Sequence, residues 1–157
     1  MSTRHPSDSA VEATHIVLPS DTNSHGTAFG GSIMQWMDIA AGIAGRRHCR
    51  NQVVTVAVDE IVFERPIHLG DVIIVRASAN YVGRTSIEVG VRVDREDISS
   101  GEREHCLSGY FTMVSVDKNG KPLPVPPLTA ESEIEKRRYK AAQLRRAERL
   151  AHKDISC

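Results

Sequence analysis

Gly30-Gly31-Ser32-Ile33-Met34-Gln35-Trp36-Met37-Asp38-Ile39-Ala40-Ala41-Gly42-Ile43-Ala44-Gly45-Arg46-Arg47 is where the hydrophobic pattern of the chain changes period. From Ser32 to about Arg47, apolar Ile33, Met34, Met37, Ala40, Ala41 and Ala44 recur at spacings of three and four, which predicts a helix with one buried face. Small residues fill its second half, so a sheet can approach its backbone closely. Arg46, Arg47 and His48 fall at the end, where cations complement the helix dipole.

Working outward, His15-Ile16-Val17-Leu18 is a short apolar run stopped by Pro19 and reads as an edge strand. Ser20 to Gly31 is rich in Asp, Asn, Ser, His and Gly, which is loop chemistry. Beyond the helix, Val53–Phe63, Val72–Tyr81, Ser86–Val93 and Cys106–Val116 read as strands, with turn signals at Gly70-Asp71, Gly83-Arg84 and 97–101. Consecutive strands joined by turns predict an antiparallel α+β arrangement, a sheet wrapped around one long central helix, rather than alternating α/β units. A Pro-rich linker from Pro122 to Pro127 leads into a charged helix from Glu131 to about Lys153. The domain reading is a disordered lead-in over 1–10, one domain over 11–128 and a charged helical tail over 129–157. A single helix cannot cover a five-stranded sheet on both faces, so a second copy of the chain is expected at the open face or edge.

The 157 residues are 40% apolar but only 4% aromatic, so the core must be built from Val, Ile, Ala and Leu. The formal charge is zero, which predicts no polyanionic partner. Cys49, Cys106 and Cys157 are an odd number without metal-ligand spacing, consistent with reduced thiols in a cytoplasmic protein. Residues 1–10 show no apolar signal core, and no run approaches the roughly 20 residues of a membrane span. Arg137-Arg138-Tyr139-Lys140 and Arg145-Arg146 could form a nucleic-acid patch. Glu131, Glu133, Glu135 and Glu148 balance them, however, and favour a solvated helix with internal ion pairs.

Two features of the central helix carry chemistry. The pair Gly30-Gly31 stands where first-turn amides are unpaired and partly positive, able to hold an anion or a developing oxyanion; close helix–sheet packing explains the same glycines. Asp38 interrupts an apolar helix, roughly two turns and about 10 Å beyond Gly31. A carboxylate there is either used, as an activator of a nucleophile, or shares a solvent-facing stripe with Gln35.

Pro19-Ser20-Asp21-Thr22-Asn23, Phe29-Gly30-Gly31, Met37-Asp38 and Val54-Thr55-Val56-Ala57-Val58-Asp59 together resemble the hotdog-fold acyl-CoA thioesterases. The likeness is to the bacterial broad-specificity acyl-CoA hydrolases and the brain and brown-fat enzymes. It spans about residues 12 to 128 and continues through Arg65-Pro66, Gly70-Asp71, Val82-Gly83-Arg84-Thr85-Ser86 and Glu88. The resemblance implies hydrolysis of fatty acyl-CoA to free acid and CoA, with Asp38 as general base or nucleophile. It also implies Asn23 orienting water or substrate from the other subunit of a dimer, and backbone amides near Gly30 and Gly31 polarising the carbonyl, with no metal or cofactor required. Arg84, Thr85 and Ser86 would meet the CoA nucleotide, and the family's oligomers imply a dimer at least, with a trimer of dimers expected.

Other readings compete. His25 is an alternative base in the same loop, and His48 or His105 could pair with the adjacent Cys49 or Cys106. Ser32 follows two glycines but lacks the spacing of a nucleophile elbow. A non-catalytic acyl-CoA sensor and a hotdog dehydratase are the alternative functions. The pairing of Asn23 with Asp38 disfavours the first, and the position of His25 before the helix disfavours the second.

Overall fold

A computed structural model describes residues 1–153; Cys157 and the end of the expected tail lie outside the described residues. The elements run α1 (Pro6–Ser9), β1 (Val11–Ile16), α2 (Gly30–Cys49), β2 (Gln52–Asp59), β3 (Val72–Val82), β4 (Ser86–Glu96), β5 (Arg103–Val116) and α3 (Glu133–Lys153). The five strands form one antiparallel sheet in the order β1-β3-β4-β5-β2. This is the hotdog architecture, with α2 as its filling.

The helix period seen in the sequence is the one that packs. Ile33, Met37, Ala40, Ala41 and Ala44 are buried against Val75, Val89, Phe111 and Met113 of the sheet. Fully burying an Ile or Met of this kind contributes about 1.5–3 kcal/mol. Gly45 lets the sheet close in, since a Cβ there would lie 3.2 Å from Met113 Sδ and 3.3 Å from Val53 Cγ2. Arg50, left-handed at φ 59°, ends the helix.

Three expectations are corrected. The first strand after α2 does not continue to Phe63: Glu60 turns left-handed at φ 56°, and β2 stops at Asp59. Nor does β2 pair with β3. The connection over 60–71 is too long for a tight hairpin, and β2 runs instead along β5 at the far edge of the sheet.

Residues 1–10, expected to be disordered, are ordered by partners distant in sequence. Ser9 is buried, and its Oγ accepts a bond from the Ala79 amide (2.9 Å) while donating to Pro6 O (2.8 Å). Arg4 pairs with the linker through Arg4 N to Pro127 O and Thr129 N to Arg4 O, both 2.8 Å. His48, fully buried, adds Nε2 against Pro126 O at 2.8 Å.

The third correction concerns α3, expected as a solvated helix. It docks on the sheet face opposite α2. Tyr139 meets Tyr81 edge-on at 4.9 Å, and Ala142 is buried. Arg145 lies 3.5 Å above the Tyr110 ring and makes two 2.9 Å bonds to buried Glu88. Part of the face assigned to a second copy is therefore covered by the chain itself.

Candidate active site

The loop before α2 is built by its own polar side chains. Asp21 Oδ2 accepts the Leu18 amide at 2.9 Å, and Thr22 Oγ1 donates to Pro19 O at 2.7 Å. Asn23 Oδ1 accepts the amides of His25 (2.9 Å) and Thr27 (3.3 Å), and its Nδ2 donates to Thr27 Oγ1 (2.8 Å). Gly26, at φ 78°, completes the reversal. Asn23 is thus held at an exposed loop tip, its orientation fixed by a local turn. His25 is exposed beside it, and its ring makes no hydrogen bond among the described residues.

Phe29 caps α2, and the Gly30 and Gly31 amides follow as the first two of the helix. The Ser32 and Ile33 amides turn back to Phe29 O (2.9 and 3.3 Å), whereas those of Gly30 and Gly31 have no acceptor among the described residues. The close helix–sheet packing expected of the pair is not what surrounds it: the near neighbours are the side chains of Phe29 and Phe63. A Cβ on Gly31 would lie 2.5 Å from the Phe29 ring, so any larger residue there would have to displace that exposed ring, while Gly30 has room (3.9 Å to Phe63 Cζ). The result is a helix N-terminus with free donors, flanked by two exposed phenylalanines, Phe29 and Phe63.

Asp38 sits two turns further on, exposed, with its Oδ1 accepting a 2.7 Å bond from Thr55 Oγ1 of β2. Its surroundings are not those of an ordinary polar stripe. Ile39 (53% exposed) and Ile43 (40%) follow it on the helix, and Val54, Val56 and Val58 leave 47%, 57% and 37% of their surface open on the neighbouring edge strand. Charge and apolar surface stand together around one hydrogen-bonded pair. Asp38 and Asn23 share no hydrogen bond within the chain; the former is engaged by Thr55, the latter by its own loop.

Thr55 is the residue that sequence reasoning passed over, although it lies in one of the quoted motifs. In a β-branched run such as Val54-Thr55-Val56, threonine is an unremarkable strand former, and only the fold shows where its hydroxyl points.

Arg84, Thr85 and Ser86 form the β3–β4 turn. Gly83 N bonds Ser86 O (2.9 Å), Ser115 N bonds Thr85 O (3.0 Å), and Val125 N bonds Arg84 O (2.9 Å), leaving the Arg84 side chain exposed on a rigid base. Arg146 of α3 comes to the same turn, its guanidinium carbon 3.6 Å from where a Cβ on Gly83 would sit. Neither guanidinium is paired with a carboxylate among the described residues, so the turn presents two free forks suited to phosphate oxygens.

The cysteine readings do not survive. Burial pushes the Cys49 thiol up to about 11, and burial raises that of Cys106 as well; thiols held protonated are poor nucleophiles. His48 is taken by Pro126 O, and His105 by Glu64 (3.0 Å) and Ser108 (2.8 Å). Among the described residues, no cluster of His, Cys, Asp or Glu could hold a metal ion, and no helix is long and apolar enough to cross a membrane.

Known proteins share this fold. The family model of the thioesterase superfamily matches residues 25–102. The uncharacterized acyl-CoA thioester hydrolase YkhA of Bacillus subtilis is 40% identical over 151 residues, covering 96% of this chain and 88% of that one. The cytosolic acyl coenzyme A thioester hydrolase of Rattus norvegicus is 40% identical over 144 residues, 88% of this chain but 38% of the rat protein. Among solved structures, an apo-hexameric acyl-CoA thioesterase superposes with a TM-score of 0.94 at 35% identity, covering 99% of this chain and 100% of that one. The Staphylococcus aureus acyl-CoA hydrolase, solved with butyryl-CoA and CoA, gives 0.89 at 34% identity, with 98% and 96% covered. That enzyme has also been solved with an asparagine, an aspartate and a threonine each changed to alanine; the aspartate follows the asparagine by 15 positions, and the threonine follows the aspartate by 17. On these matches and on its fold, the chain belongs to the thioesterase superfamily, as a hotdog-fold thioester hydrolase of the acyl-CoA thioesterase group.

Proposed function

We propose that the protein hydrolyses fatty acyl-CoA to the free acid and CoA at a site completed by two subunits. The observation that carries this reading is the Thr55–Asp38 hydrogen bond on an open apolar edge. The spacing supports it: Asn23, Asp38 and Thr55 stand 15 and 17 residues apart, as do the three positions altered in the S. aureus enzyme. Thr55 donates to one carboxylate oxygen of Asp38 and leaves the other for water or for the thioester carbon. Asp38 then acts as general base or as nucleophile. Asn23 of the partner subunit orients water or substrate, and the free amides of Gly30 and Gly31 take the developing oxyanion. Collapse of the tetrahedral intermediate breaks the C–S bond, and the CoA thiolate takes up a proton. Arg84, with Thr85 and Ser86 and with Arg146 beside them, binds CoA phosphate.

The exposed valines of β2 make it an edge that needs a cover, and a two-fold dimer would supply one. Assembly as a trimer of dimers and cytoplasmic residence complete the reading, in line with the hexameric and cytosolic relatives. Complementation tests the shared site. Inactive Asn23→Ala and Asp38→Ala proteins are mixed, allowed to exchange subunits and assayed for thiol release. Mixed oligomers, verified by mass, should regain part of the activity because each dimer made of one subunit of each variant holds one intact site. Mixed oligomers without activity would refute the shared site.

A further inference from the structure

We propose that α3 is a register clamp for the catalytic edge strand, in which Arg149, acting through Asp59, holds the β-bulge that aims Thr55 at Asp38. The inference rests on the reading of Thr55 given above and adds a positioning role for a helix that touches none of the reacting groups.

Thr55 and Asp59 are four residues apart, so on a regular strand both would face the same side of the sheet. They do not. Thr55 pairs with Met113, whose side chain packs toward α2, and its hydroxyl reaches Asp38. Asp59 pairs with Tyr110, whose ring lies beneath Arg145 of α3, and its carboxylate accepts a 3.0 Å bond from Arg149. The register breaks between Thr55 and Ala57, which pair with consecutive residues of β5, Met113 and Thr112; Val56 is the extra residue. This bulge lets one short strand offer a hydroxyl to α2 and a carboxylate to α3.

A bulge on an edge strand has a competing register nearby. If Val56 entered the ladder, the residues after it would each move one place and change face. Asp59 would then fall opposite Gly109, beside Met37 and Ile61. Should the slip run the other way, Thr55 would leave Asp38. The first half of β2 is pinned by Val53 packed on Gly45. The second half ends at left-handed Glu60 and is held from outside the sheet by Arg149 on Asp59, with Arg145 4.0 Å from Glu60.

Magnitude separates this role from plain stabilisation. The Arg149 and Asp59 side chains are 27% and 30% exposed, and a pair so accessible contributes only about 0–1 kcal/mol to folding. A catalytic group displaced by about 1 Å, in contrast, can cost up to about 10²-fold in rate.

The experiment is a double-mutant cycle on the full-length protein, with amide hydrogen exchange as an independent readout. Arg149→Ala should lower kcat about 10-fold, leave KM nearly unchanged, shift Tm little and speed exchange over residues 56–59. Arg149→Lys, which keeps the charge, should recover most of the activity. In a Thr55→Ala background, Arg149→Ala should have almost no further effect, because the group it positions is gone. Full additivity, or unchanged kcat together with unchanged exchange in Arg149→Ala, overturns the clamp. If Thr55→Ala itself leaves kcat intact, the reading of Thr55 fails. Exchange over 56–59 then still decides whether Arg149 holds the bulge.

Discussion

Around the β2 edge the protein leaves apolar side chains open beside a single polar pair, Asp38 and Thr55. Under α3, on the other side of the sheet, charged groups are closed in. Glu88 and Arg145 are 5% and 11% exposed and joined by two hydrogen bonds, with Asn80 Nδ2 also donating to Glu88 at 3.1 Å. Burial draws the Arg145 guanidinium down, but its bonds to Glu88 and the charge of that residue outweigh this and hold it above its usual value. The contrast teaches where each kind of surface finds its complement. The charged face is satisfied within the chain. The apolar edge is left open, and the Asp38–Thr55 pair proposed as catalytic stands on that open side.

Substitutions should therefore separate by region, except at Arg149, which joins α3 to the β2 edge through Asp59. The largest effect is expected at Asp38. Asp38→Asn should lower kcat by about 10²–10⁴ while melting temperature and oligomeric mass stay put; unchanged turnover by the folded variant would remove Asp38 from the mechanism. Glu88→Ala should do the reverse. It leaves Arg145 buried without its partner and should cost about 3–5 kcal/mol in denaturant unfolding, with kcat per folded molecule falling far less than in Asp38→Asn. A loss below about 1 kcal/mol would mean that the α3 face is not sealed by this pair.

Arg84→Ala should act more weakly, raising KM for acyl-CoA by roughly 3- to 10-fold with kcat retained, since a phosphate contact serves ground and transition states alike. A dephospho-CoA thioester tells whether the 3′-phosphate is the partner. A fall in kcat at constant KM would break that assignment.

The smallest effect belongs to neither region. Burial lowers the pKa of His48, with Arg4 acting in the same sense against the raising effects of Pro126 O and Asp8. Because the folded-state value lies below 6.5, the unfolded chain binds the proton first. Stability is whole above about pH 6.5 and declines as pH falls toward the folded-state value, by at most about 1.4 kcal/mol per pH unit. His48→Gln should flatten the dependence of Tm on pH between about 7 and 5; an unaltered slope would assign it to other groups.

The helix of residues 32–47 was legible because its apolar period is local, and so were the Gly30-Gly31 pair and the anomaly of Asp38. What escaped depends on pairing between distant segments. The strand order could not be read because nothing in Val53–Asp59 says that its neighbour is 103–116 rather than 72–82. The bulge at Val56 leaves no mark in a run of β-branched residues, and without it Thr55 and Asp59 would be read as sharing one face of the sheet. The helix α3 looked solvated because the partners of Arg145 and Arg149 lie 57 and 90 residues away, whereas its acidic neighbours on the same helix are close at hand.

The bridge between Arg4 and the linker carries a further consequence for how the molecule comes apart. The first residues bind the same few peptide groups from which α3 is hung, and His48 grips that stretch from beneath. The chain is fastened like a belt, with its beginning buckled over the strap that leads to its last helix. Trimming the chain back to Val11 would undo the buckle. The linker would lose Arg4 while His48 lost its cover, and α3 would be left attached chiefly by its own arginines. Slackness at the N-terminus would thus be felt first at the opposite end of the sequence.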